Sequence, residues 1–114
     1  MIKRKEDMRL QVRENLRGGN GIVKNYHIFE QNETGDRFEL FTKFVFEPGV
    51  GIGYHEHIEN CEAYYVLEGE LTLVENGVET VLRPGDASFV AHGSHSIENR
   101  TDKTATMLAV IIKA

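Results

Sequence analysis

Beyond residue 17 no stretch of the chain carries a 3.6-residue apolar period. Short runs of β-branched and aromatic residues are cut instead by glycines at close intervals. With eleven glycines and two prolines in 114 residues, the pattern demands many short strands joined by turns rather than helices. Strands are expected at 22–29, 38–46, 61–68, 70–75, 78–83, 87–91, 95–99 and 104–112. Asn76-Gly77 reads as a two-residue hairpin turn, because both positions tolerate positive φ. Arg83-Pro84-Gly85-Asp86 reads as a second turn, proline presetting the first corner and glycine the next. Met8, Leu10 and Val12 alternate, which favours one more strand over 8–13. A sheet of eight or nine short strands has to hide its edges. The expected fold class is therefore all-β, closed as a sandwich or barrel.

The length fits one domain. Hydrophobic residues at 40% and charged residues at 27% place the chain in the globular range. The apolar run that includes residues 108–112 is far short of the roughly 20 residues that span a bilayer, and the charged N-terminus has no secretory apolar core. The single cysteine, Cys61, excludes an internal disulfide and a thiolate zinc knuckle. A cytoplasmic location without a membrane partner is expected. The net charge of −5 disfavours nucleic acid as a partner. That charge is uneven: residues 1–17 hold six Lys/Arg against three Asp/Glu, a basic arm on an acidic domain.

Four side chains belong together chemically. His55 and His57, two apart in an extended segment over 53–57, point to one face. Glu62 follows across residues 58–61, which are expected to make a corner between strands, and His95 comes much later, after Gly93-Ser94. Three imidazoles and a carboxylate form a ligand set suited to a divalent transition metal: Mn, Fe, Co, Ni, Cu or Zn. On an octahedral ion they leave about two positions open for a ligand. Other constellations carry less. Gly49-x-Gly51-x-Gly53 precedes no helix, so it is not a dinucleotide fingerprint; its glycines suit a kink or a close backbone approach. Cys61, next to Glu62, should face away from the cavity by alternation, and His27 has no partner spacing.

The run Gly49-Val-Gly-Ile-Gly-Tyr-His55-Glu-His57-Ile-Glu-Asn-Cys-Glu62, closed by Gly69, resembles the first motif of the cupin superfamily at every spacing. The second motif resembles Gly85 through His95-Ser-Ile-Glu-Asn99, with two departures: Ala91 stands where proline is usual, and Ser94 alone separates Gly93 from His95. The resemblance covers about residues 38–112 and is to small single-domain bacterial cupins. It implies a double-stranded β-helix, the jelly-roll barrel, with His55, His57, Glu62 and His95 projecting inward to a metal. Residues 21–114 are then the barrel, and residues 1–20 an N-terminal arm whose alternating segment 8–13, at an open sheet edge, is expected to pack on or swap with a partner subunit in a homodimer.

Alternation assigns the surroundings. Tyr64 shares parity with Glu62 and Ile97 with His95, so both are expected to line the pocket with His92 on its rim, and these three are the candidate substrate-binding residues. His92 would serve as an acid, a base or an anion contact near neutral pH. The expected function is a metal-dependent enzyme acting on a small carboxylate, enolisable or sugar-type ligand, and the cupin resemblance implies an oxygenase, decarboxylase or isomerase. The alternative is a binding or sensor module without turnover.

Overall fold

The computed structural model describes residues 1–113, so Ala114, the last residue of the predicted barrel, lies outside the described residues. Eight strands follow one another: β1 (Arg9–Glu14), β2 (Ile22–His27), β3 (Phe38–Phe46), β4 (Gly51–Glu68), β5 (Leu71–Glu75), β6 (Val78–Leu82), β7 (Ala87–Glu98) and β8 (Ala105–Lys113). The described helical pieces are three single 3-10 turns, and no helix is long and apolar enough to cross a membrane.

All strands pair antiparallel in one sheet, in the order β1-β2-β3-β8-β4-β7-β5-β6. Strands remote in that order meet in one core. Val23 of β2, Phe44 and Phe46 of β3, Leu71 of β5 and Leu82 of β6 share a cluster with Met107 of β8, so the sheet is curled on itself. Each large apolar side chain buried there contributes roughly 1.5–3 kcal/mol. The two turns appear where their residues demand them. Asn76 and Gly77 both hold positive φ between β5 and β6, and Gly85 has φ +92° between β6 and β7.

Two expected breaks are not breaks. The segments 53–57 and 61–68 belong to one 18-residue strand, β4. Its register against β7 slips between Ile52 and His55 and again between His57 and Cys61, each time with extra residues on the β4 side. These bulges bend the strand without ending it. Likewise 87–91 and 95–99 are one strand, β7, in which His92 takes a left-handed conformation, φ +54°.

The arm forms the predicted strand. β1 runs along β2 from Arg9 opposite His27 to Glu14 opposite Ile22. Arg9 holds Glu30 through two hydrogen bonds of 2.9 Å, and the His27 imidazole meets Gln11 Oε1 at 2.9 Å. Burial first, then the Arg9 charge, holds the His27 pKa below its ordinary value, so the ring is neutral and donates Nε2–H to Gln11.

Candidate metal centre

The bends of β4 determine what meets in the barrel. His55 and His57 share a face by ordinary alternation, and the first bulge, between Ile52 and His55, sets that face inward along with Ile52. The second absorbs residues 58–60, so that Glu62, an odd five positions after His57, returns to the same face. His95 on β7 lies directly opposite His55 in the ladder. The shorter spacing from Gly93 to His95 therefore costs no alignment.

Nε2 of all three histidines and Oε1 of Glu62 converge. His95 Nε2 lies 2.9 Å from Glu62 Oε1 and 3.1 Å from Nε2 of both His55 and His57. Glu62 Oε1 is 3.1 Å from His57 Nε2 and 3.6 Å from His55 Nε2. Donors held about 2.1 Å from a common ion at right angles would stand about 3.0 Å apart. The observed spacings fit that edge. So does the tautomer chemistry: His55 Nδ1–H donates to the Gly53 carbonyl at 2.7 Å, and His57 Nδ1–H to Asn60 Oδ1 at 2.5 Å. Each ring then turns an Nε2 lone pair inward. Buried lone pairs facing one another at 3 Å repel unless a cation or a proton lies between them, which suits a divalent ion.

Without an ion, protons on the inward Nε2 atoms take its place. Burial pushes the Glu62 carboxyl up, but hydrogen bonds from His55, His57 and His95 outweigh it and hold the group well below the usual carboxylate range. The Glu62 hydrogen bond raises the His57 pKa against the cost of burial. Tyr64 lies flat on the His95 ring, with centroids 4.8 Å apart, and its hydroxyl is 3.3 Å from His95 Nε2. Burial, then the Glu62 charge, pushes this phenol well above its ordinary value, so it keeps its proton. His95 Nδ1 is buried with no hydrogen-bond partner among the described residues, which leaves the Tyr64 stack to orient the ring.

Behind His57 stands a support the sequence did not announce. Asn60, which accepts from His57, donates its amide to Glu39 Oε2 at 2.9 Å. Glu39 fixes which way the amide faces, and Asn60 fixes the imidazole. Asn60→Leu is expected to weaken metal affinity about 10- to 100-fold while the fold persists. Titration of the metal-free protein with Zn²⁺ against a chelator measures this, and an unchanged affinity would remove Asn60 from the support.

Three of the four donor residues, His55, His57 and Glu62, line a cavity of about 450 Å³ together with Tyr64, while His95 is buried and not part of the lining. The apolar wall of the cavity includes Leu40, Phe44, Ile52 and Ile111, and the N-terminal arm closes one side with Arg13, Leu16 and Arg17. Two candidates lie elsewhere. Ile97 faces inward like His95 but is wholly buried in the apolar core and does not line the cavity, because parity fixes a face and not a depth. His92 is exposed and also absent from the lining, its left-handed backbone interrupting the alternation. Cys61 is buried behind the wall, with Sγ 3.8 Å from the Ile112 carbonyl. Neither Arg13 nor Arg17 was singled out in the sequence; the only signal for their approach was the glycine pattern at 18–19 and 49–53.

Comparison with known proteins gives a consistent picture. The model of the cupin domain family matches residues 42–111. An "Oxalate-binding protein" of Thermotoga maritima is 34% identical over 113 residues, covering 98% of this chain and 93% of that protein. A "Beta-D-galactosidase" of Mycobacterium tuberculosis is 45% identical over 68 residues, 59% of this chain and 58% of that one. A solved structure from Thermotoga maritima, described as a predicted oxalate decarboxylase, superimposes with a TM-score of 0.94 at 33% identity, covering all of both chains.

Proposed function

The chain belongs to the cupin domain family, its fold a jelly-roll β-barrel, and on that premise we propose that it holds a divalent metal on His55, His57, Glu62 and His95 and uses it to bind and act on a small carboxylate. The observation that carries this reading is the convergence of four donor atoms, all within 4.8 Å of one another, with His55, His57 and Glu62 lining a cavity of about 450 Å³. The likeness to a protein named for oxalate binding supports the carboxylate class. The ion, when bound, supplies Lewis acidity at a ligand oxygen.

The chain's own residues do the rest. Glu62 stays ionised throughout the physiological range and balances part of the metal's charge. Tyr64 stays neutral and presents a hydroxyl that donates to a ligand oxygen. Leu40, Phe44, Ile52 and Ile111 keep water from the apolar side of the cavity. A second reading, binding without turnover, is favoured by one observation: Glu39, a carboxylate lining the cavity, is already tied to Asn60.

Metal analysis of protein purified without a chelating tag is expected to show close to one divalent ion per chain. Calorimetry is expected to show oxalate binding to the metal-loaded protein and none to the metal-free form. Release of carbon dioxide or formate from oxalate separates the two readings. A protein that takes up no metal on incubation, and no oxalate, would overturn both. A homodimer belongs to the same proposal: β1 ends the sheet, and Leu10 and Val12 on it and Ile22 on β2 are exposed.

A further inference from the structure

The turn between β1 and β2 rests on β4 with no space between backbones. A Cβ on Gly53 would lie 2.0 Å from the Arg17 carbonyl oxygen, and a Cβ on Gly19 would lie 2.2 Å from the Gly51 carbonyl oxygen. Glycine on both sides is what allows the contact. Within this turn Arg17 adopts φ +54°, ψ +30°, a left-handed conformation unfavourable for arginine. Arg17 lines the cavity, as does Arg13 of β1.

Arg9, Arg83 and Arg100 are each paired with glutamate. Among the described residues Arg4, Arg13, Arg17 and Arg37 have no ion pair, and of these Arg13 and Arg17 line the cavity. Two carboxylates besides Glu62 face the same space: Glu39, committed to Asn60, and Glu56, exposed at the rim. An unpaired guanidinium facing a site for an anion has a natural partner in a carboxylate, which its planar fork grips with two parallel hydrogen bonds.

We propose that Arg17, seated over the cavity by the glycine-lined turn, is the specificity-determining residue of the site and selects small dicarboxylates over monocarboxylates. This rests on the carboxylate reading above. The His55–His57–Glu62–His95 centre receives the chelating oxygens, and Arg17 receives the charge of the second carboxylate.

The test compares oxalate with glycolate, which offers two chelating oxygens but only one carboxylate. Both are titrated calorimetrically into metal-loaded wild-type, Arg17→Asn, Arg17→Gln and Arg17→Lys proteins. Asparagine tolerates the left-handed backbone, so Arg17→Asn removes the charge at little conformational cost. Oxalate affinity is expected to fall about 10- to 100-fold in the Asn and Gln variants, with Lys recovering part of it. Glycolate affinity is expected to change less than about threefold. Metal content and thermal midpoint report whether the site and fold are intact. Oxalate binding that survives loss of the charge would overturn the proposal, as would an equal loss for both ligands. Wild-type protein that takes up metal but binds neither ligand would overturn the carboxylate reading as well.

Discussion

Replacing His57 with alanine is expected to reduce bound divalent metal to a small fraction of one ion per chain, a loss of affinity of more than about a hundredfold. His57 is the most constrained of the four donors. Its Nε2 stands 3.1 Å from both Glu62 and His95, and its Nδ1 is anchored on Asn60, which is anchored on Glu39. Alanine removes a donor and leaves a gap that three remaining side chains on stiff strands cannot close. Measurement of metal content by elemental analysis after exhaustive dialysis decides the matter. His92→Ala is the matched control, because His92 is exposed and outside the cavity. Full stoichiometry in His57→Ala would place the metal elsewhere.

The second large effect is steric. Gly53→Ala places a methyl 2.0 Å from the Arg17 carbonyl oxygen, 2.8 Å from its carbonyl carbon and 2.9 Å from the Gly19 nitrogen. All three are backbone atoms, so no rotamer relieves the clash. Either the arm lifts from β4 or β4 shifts beneath it. The expected cost is about 3 kcal/mol, seen as a fall in Tm of roughly 10 °C or more. Loss of dicarboxylate preference should accompany it, since the same displacement carries Arg17 away. A variant with unchanged Tm and unchanged ligand preference would show that the turn does not rest on β4 as described.

The parts of this molecule that sequence reveals are the ones governed by neighbours in the chain. Asn76-Gly77 and Pro84-Gly85 specify their own backbone angles, so the turns lie where their residues put them. Alternation located the strands, including β1. Spacing singled out His55, His57, Glu62 and His95, which the fold brings within 4.8 Å of one another. Alternation fails where a bulge intervenes. From His57 to Glu62 the parity flips, which reads as a corner, whereas the chain inserts unpaired residues and continues as one strand. Parity also says nothing of depth, which is why Ile97 proves to be core. Asn60, Glu39 and Arg17 meet the site only through the path of the whole sheet, and no local rule encodes that path.

The pairing of His55 with His95 has a thermodynamic consequence. These two donors are 40 residues apart and become adjacent only when β4 and β7 have zipped together. An unfolded chain presents no such constellation, so an ion that prefers this geometry binds the native state almost alone. By mass action, each tenfold rise in free metal above its dissociation constant then adds about 1.4 kcal/mol to the free energy of unfolding. With metal held as proposed, the conformational stability of this barrel would become a function of the metal supply around it.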